Sequence, residues 1–225
     1  MTVKKGRGLL MVYADIPADL EAEFNRWYNE EHLPELLAIP GVLNAGRYEA
    51  VRGGPKHLAC YELAEPEVCL SEDWQRRLAN PSAWAARMSP KKIATRYVRN
   101  VYRLIHPESV SAEIAEADMA PALLVGRMEV PESMDAAFNT AYNNERLPLY
   151  RRIPDYTRAR RFVALRREPG DEPKYTTVHE CLRTEVADSP EWNAVRKAPT
   201  PVWSELHQHI RFAQGSPGVY RRIYP

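Results

Sequence analysis

A histidine two residues ahead of a proline, in Trp27-Tyr28-Asn29-Glu30-Glu31-His32-Leu33-Pro34, is the sharpest chemical feature of this 225-residue chain. An imidazole titrates near neutrality, so it can take or give a proton under ordinary conditions. At about 100° per residue, Leu20, Phe24, Trp27, Tyr28 and Glu31 fall on one side of a helix. His32 lies just beyond that stripe, which puts it at the rim of a pocket between helix and sheet. His32, Tyr28 and Glu31 are therefore the candidate catalytic residues, with Glu30 or Glu31 near enough to orient the imidazole. The competing reading is a helix-end histidine that meets only backbone carbonyls ahead of Pro34.

The same run returns later in the chain with its polar positions altered. Phe24-Asn25 through Leu33-Pro34 recurs as Phe138-Asn139 through Leu147-Pro148 at an offset of 114, shared by Ile39-Pro40 with Ile153-Pro154 and by Arg47 with Arg161. At an offset of 118, Glu62 matches Glu180, Trp74 matches Trp192, and Val101-Tyr102-Arg103 matches Val219-Tyr220-Arg221. Where the first copy has His32 the second has Arg146, a permanent cation that cannot act as a base but can bind an acidic oxygen or pair with Glu145. Trp27 faces Ala141. These two exchanges predict an open pocket in the first copy and a filled one in the second. Arg47 and Arg161 are expected to partner the inward acids and tyrosines, Glu31 with Tyr28 and Glu145 with Tyr142. Tyr61 and His179 occupy equivalent places on their strands and line either a helix-side cavity or a barrel interior. Trp27, Arg47, Tyr61, Arg146 and His179 are the candidate substrate-binding residues.

The elements that must position these groups follow from periodicity and turn signals. Strands are predicted at 8–15, 42–51, 56–64 and 94–105, with helices opening at Pro17-Ala18-Asp19 and covering 71–88 with a break near Asn80-Pro81. Asp19 or a neighbour is expected to cap the first helix, and Pro34 to break or kink it near His32. The second half reads as strands near 122–130, 157–167, 174–183 and 212–223 and helices near 132–146 and 188–209. The order β-α-β-β-α-β is the ferredoxin-like pattern. Residues 1–106 form the first unit, 107–121 an acidic, alanine-rich linker, and 122–225 the second unit. The fold class is α+β: two tandem ferredoxin-like repeats whose open sheet faces pack on each other as an intramolecular α+β barrel.

The run W-Y-N-x-E-H-x-P followed by I-P-G and R-Y resembles the dimeric α+β barrel superfamily, particularly its EthD-like branch, whose members carry a histidine ahead of a proline at this point. The resemblance implies cofactor-free oxygenation of aromatic compounds, cyclisation or isomerisation of polyketide or lactone compounds, or haem binding and degradation. Residue chemistry favours general acid–base catalysis of a lyase, isomerase or cyclase type on a small aromatic or unsaturated oxygenated metabolite. A cofactor-independent monooxygenase and a non-catalytic carrier of haem or another hydrophobic ligand are the alternatives.

No cofactor is predicted, haem being the alternative, and no metal site: the rings of His207-Gln208-His209 would diverge on a helix, and no H-E-x-x-H or paired-cysteine spacing exists. The net charge of +1 argues against nucleic-acid binding. No apolar run is long enough to span a bilayer. Three cysteines without C-x-x-C spacing suit a reduced, cytoplasmic protein. The expected partner is a small-molecule substrate, and the protein a self-contained pseudo-dimer that could itself pair as a homodimer.

Overall fold

The computed structural model describes residues 2–224. The first half supplies β1 (Gly8–Asp15), β2 (Val42–Arg52), β3 (His57–Leu63) and β4 (Arg96–His106). The second supplies β5 (Ala122–Glu129), β6 (Tyr156–Glu168), β7 (Tyr175–Cys181), a two-residue β8 (Arg211–Phe212) and β9 (Gly218–Tyr224). Each half forms an antiparallel sheet, β4-β1-β3-β2 and β9-β5-β7-β6. The two sheets face each other and are also joined at both edges by β2–β9 and β4–β6 pairing, so eight strands close into a barrel. Closure leaves the barrel no unpaired edge.

Side-chain alternation then has two apolar destinations. On β3, Leu58 and Cys60 point into the barrel with Tyr13, Tyr48, Tyr102, Phe162 and Tyr220, whereas Ala59, Tyr61 and Leu63 point out beneath the first-half helices. Both faces of β3 and β7 are therefore covered, and every residue of the two strands is buried. One end of the interior is charged but neutralised. Arg160 donates to Glu62 of the first half (2.9 Å) and to Glu180 of the second (3.0 Å), and Lys5 donates to Glu180 (2.6 Å). All four residues are essentially inaccessible to solvent. The ion group ties the halves together across the barrel.

Residues 107–121 hold α6 (Ala112–Glu116) and dock closely. The amides of Lys4 and Lys5 donate to Ala115 O, Tyr48 Oη donates to Ala120 O, and Met119 and Ala120 enter the interior core.

The first helical segment departs from expectation at Pro34. α1 (Glu21–Trp27) widens into a π turn at Tyr28–His32 and continues as α2 (Leu33–Leu37). The Leu33 amide donates to Tyr28 O, five residues back, and this widened turn accommodates a proline ring that would crowd an α-helical carbonyl. The second half repeats the device: α7 (Asp135–Ala141), a π turn at Tyr142–Arg146, then α8 (Leu147–Tyr150), with the Leu147 amide donating to Tyr142 O. Asp19 does not cap α1. Leu20 is the N-cap residue and no side chain bonds there.

The later helices are also more divided than periodicity suggests. The 71–88 region is α3 (Glu72–Ala79) and α4 (Ala83–Met88), followed by α5 (Pro90–Ile93). The 188–209 region splits into α9 (Pro190–Lys197), α10 (Pro201–Leu206) and a 3₁₀ turn at His207–His209, because Pro199 and Pro201 remove amide donors and bias the preceding residues away from helix. The expected last strand at 212–223 is two pieces, β8 pairing with β5 and β9 beginning at Gly218.

Candidate active site

Asn25, in α1, and Asn29, one turn later in the π turn, face the strand arginine, and Glu31 does not. Arg47 donates to Asn29 Oδ1 (2.6 Å), Asn25 Oδ1 (2.5 Å) and Asn25 O (3.3 Å), with its guanidinium 4.6 Å from the Tyr28 ring centroid. Arg161 makes the same contacts with Asn143 Oδ1 (2.6 Å), Asn139 Oδ1 (2.8 Å) and Tyr142 (4.4 Å). The expected arginine–glutamate cluster is not formed in either half. Glu31 instead accepts from Trp27 Nε1 (3.0 Å) and Ser82 Oγ (2.5 Å), and Glu145 from the Trp203 amide (3.4 Å).

The first half is packed shut where a pocket was expected. Tyr61 Oη donates to Tyr28 Oη (2.8 Å), Trp27 is 1% exposed, and the cleft beside Tyr28 and Arg47 holds only about 10 Å³. His32 is half-buried, its ring 4.5 Å from Trp27 and 4.7 Å from Tyr28. Arg77 lies 2.7 Å from His32 Nδ1 and donates there. Burial, then Arg77 and Arg47, hold this imidazole well below its usual range. It is neutral at pH 7, with Nδ1 occupied as an acceptor and the ring proton consequently on Nε2. With Nδ1 engaged by Arg77, the group placed first by sequence is poorly disposed to act as a base, and the small cleft beside Tyr28 and Arg47 does not include it.

An aromatic-walled cavity opens instead in the second half, reversing the expectation, and is distinct from a larger, shallower groove of about 600 Å³ beside Leu182 and Arg221. The cavity encloses about 450 Å³ between β5, β7 and the helices α8 to α10. Tyr142, Arg146, Tyr150, His179, Trp192 and Trp203 form its chemical lining. Three exchanges create it. Ala141 replaces the indole of Trp27, and His179 replaces Tyr61. Arg146 does not cross the space, because the carbonyls at the end of α9 draw it aside. Its Nη2 donates to Val195 O (3.0 Å) and its Nη1 to Ala198 O (3.0 Å), while Trp203 stacks 5.2 Å away. Val195 O also accepts from the Ala198 amide (3.1 Å) and meets Arg146 with its second lone pair, and carbonyls at this end carry the negative end of the helix dipole. At the repeat offsets, Arg77 corresponds to Val195 and His32 to Arg146. The cation has therefore changed sides of the same contact.

His179 sits deepest, with Tyr150, Trp192 and Tyr156 at 4.7, 5.2 and 5.8 Å between ring centroids. Its Nδ1 is 3.1 Å from Tyr156 Oη, and Nε2 has no hydrogen-bond partner among the described residues. Nor is Nε2 sealed from water, so it opens on the cavity. Burial and then the nearby Arg146 charge lower its pKa to about 3. The Tyr142 hydroxyl also lacks an internal partner among the described residues, and burial raises Tyr150 to about 12, keeping its phenol protonated. A neutral imidazole, two phenols and a guanidinium thus converge on an aromatic-walled space, a set suited to binding an acidic oxygen and moving a proton.

Sequence reasoning placed Arg146, His179 and Tyr142 near this site but missed Tyr150, Tyr156 and Trp203. The signal was available in the repeat. At the same offsets these three replace Leu36, Val42 and Ala85, each an aliphatic-to-aromatic exchange in one half alone. His207 lies at the rim of the cavity. Among the described residues there is no group of three or more metal-ligating side chains.

No family model matches the sequence, and no curated protein matches it. Solved structures do match the fold. An anthrone oxidase-like protein superimposes with a TM-score of 0.65 at 12% identity, covering 98% of this chain and 92% of that one. A mutant chlorite dismutase from Candidatus Nitrospira defluvii, in complex with cyanide, gives 0.59 at 14% identity over 99% and 92%. A heme-binding protein from Thermus thermophilus gives 0.54 at 13% identity over 97% and 92%. These neighbours share the closed α+β barrel architecture of this chain. At such identities the likeness carries the architecture and nothing finer. No helix among the described residues is long and apolar enough to cross a membrane.

Proposed function

We propose that the chain is an enzyme acting on a small, flat, oxygenated unsaturated molecule by general acid–base chemistry in the second-half cavity. The observation that carries this reading is the pairing of a free His179 Nε2 with Arg146 in one aromatic-walled space. A base at Nε2 needs its proton on Nδ1, where Tyr156 Oη can accept it. Nε2 takes a proton from the substrate and the electron pair remains as an enolate or phenolate, whose charge Arg146 offsets. Reprotonation at another carbon completes an isomerisation, and departure of a leaving group completes an elimination. An anion on Arg146 also offsets the charge that, after burial, depresses His179, and moves the imidazole toward the proton-transfer range. His32, Tyr28 and Glu31 serve the packing of the first half in this reading, and Trp27, Arg47 and Tyr61 close it.

The finer placement is that of a fused tandem duplicate of a ferredoxin-like unit, with its boundary at 107–121, in the EthD-like branch. The recurrence of the π turn, its asparagine pair and its strand arginine in both halves supports the duplication. The closed barrel within one chain supports a self-contained pseudo-dimer, and three buried, unpaired thiols support a cytoplasmic setting. The anthrone oxidase-like neighbour keeps cofactor-independent oxygenation as a branch of the same proton abstraction, with molecular oxygen as the oxidant of the carbanion. Haem is the second reading. His179 Nε2 could hold the iron, with Nδ1 on Tyr156, and Arg146 could meet a carboxylate of the group. A bound haem would supply redox chemistry at its iron.

Native mass spectrometry of freshly purified protein identifies the retained molecule, and turnover is then followed with oxygen uptake. His179→Gln should bind the molecule yet lose turnover by about two orders of magnitude or more, the scale for a general acid–base group. Undiminished turnover in that protein refutes the assignment. A Soret band on haem addition that disappears in His179→Ala selects the second reading.

A further inference from the structure

The charge of the cavity has a definite sign. Its lining includes Arg146, Arg196 and Lys197, with His179 and His207, and contains no aspartate or glutamate. Among the described residues no carboxylate lies within ion-pair distance of Arg146, Arg196 or Lys197, whereas the barrel-interior cations all meet carboxylates: Lys5 and Arg160 meet Glu180, and Arg127 meets Glu172. Basic residues in the last turn of a helix also arise simply to meet its dipole. The equivalent helix α3 shows that case, with Arg76 paired to Asp73 and Arg77 to Glu35. At the offset of 118, Arg196 and Lys197 stand instead where the first half has Leu78 and Ala79. The basic pair is therefore peculiar to the half with the cavity, and it sits at the solvent-exposed mouth while Arg146 is buried within.

We propose that the ligand of this cavity is a hydroxylated aromatic carboxylic acid. Its acidic ring oxygen meets Arg146 and His179, its rings lie against Trp192 and Trp203, and its carboxylate meets Arg196 and Lys197 at the mouth. This rests on the reading of the second-half cavity as the site. Cations around a low-dielectric concave wall focus the field, so they favour anions at the entrance as well as in the bound state. Two aromatic walls fit fused rings better than an aliphatic acid, and the volume is that of an ordinary small-molecule site.

Titration calorimetry with 6-hydroxy-2-naphthoate, whose hydroxyl and carboxylate stand at opposite ends of the rings, and 2-naphthol, which lacks only the carboxylate, tests the assignment. At low salt the naphthoate should bind about tenfold more tightly, the sum expected from two partly exposed ion pairs. The preference should shrink as salt is raised. The double variant Arg196→Gln/Lys197→Gln should abolish the preference and leave 2-naphthol affinity within about twofold. Gly126→Leu should block both compounds, since Gly126 lines the cavity and a Cβ there meets only Met128 Cε, at 3.4 Å. Equal affinities for the two compounds, or a preference that survives in the double variant, overturn the carboxylate assignment while leaving the cavity reading intact. Binding of neither compound, or binding unaffected by Gly126→Leu, overturns the cavity reading and this inference with it.

Discussion

Replacing His179 by glutamine should remove a specific acid sensitivity from the protein. The imidazole has an ordinary value of 6.5 and is lowered to about 3 in the fold by burial and by Arg146. A histidine depressed in this way contributes stability that is fully present above its unfolded pKa. That contribution is lost as the pH falls below about 6.5 toward 3, because the unfolded chain gains a proton the native state refuses. The whole window is worth roughly 5 kcal/mol, at about 1.4 kcal/mol per unit. Between pH 7.5 and 4.5 the one-proton linkage gives about 3 kcal/mol. The residue is 5% exposed, so solvent screening takes little from this figure. Guanidinium unfolding of both proteins at pH 7.5, 6.5, 5.5 and 4.5 measures it, and taking the difference between proteins cancels the other titrating groups. At pH 7.5 the glutamine protein should be less stable by about 1–2 kcal/mol, from the lost Tyr156 contact and ring packing. By pH 4.5 the order should invert. Two stability curves that run parallel across this range, with the gap changing by less than about 0.5 kcal/mol, would refute a buried neutral His179 and with it the geometry of the site.

Arg146→Gln should weaken anionic ligands by at least about tenfold and raise the His179 pKa, since the arginine charge depresses it; NMR titration of the imidazole in the two proteins reads this directly. His32→Gln should leave turnover within a few-fold and cost about 1 kcal/mol of stability through the Arg77 contact, and loss of activity by two orders of magnitude would return the chemistry to the first half. Arg160→Met should destabilise by about 3–5 kcal/mol in chemical unfolding at pH 7.5, because Glu62 loses its guanidinium and Glu180 keeps only Lys5 and the more distant Arg158. A loss below about 1 kcal/mol would show that the interior ion group is not what joins the two halves.

The recurrence of residues between the two halves explains why the site was half legible. Comparing the copies identifies Ala141, Arg146 and His179 as departures, and the same comparison extended to Leu36, Val42 and Ala85 reaches Tyr150, Tyr156 and Trp203. What failed was the inference from residue size to cavity. Arginine was expected to fill the space because its side chain is long, yet its direction is set by the carbonyls of Val195 and Ala198 on a helix distant in sequence. Arg47 and Arg161 were rightly placed against the first helix of each half but assigned the wrong acceptors.

The chain's own pattern determined the order of strands and helices, the recurrence of residues at two constant offsets, and the burial of one tyrosine–arginine face in each half. Those properties follow from local periodicity and from identities that can be compared directly. Tertiary structure alone decided which face of β3 and β7 meets the helices, because strands covered on both faces show no polar alternation to read. It also decided that the two sheets close edge to edge, since the backbone donors and acceptors of β2, β4, β6 and β9 carry no side-chain signature. Finally, it decided which half is open. That outcome depends on where Arg146 finds its acceptors and on Ala141 leaving space that no neighbouring side chain fills, both of which are relations between elements far apart in the chain.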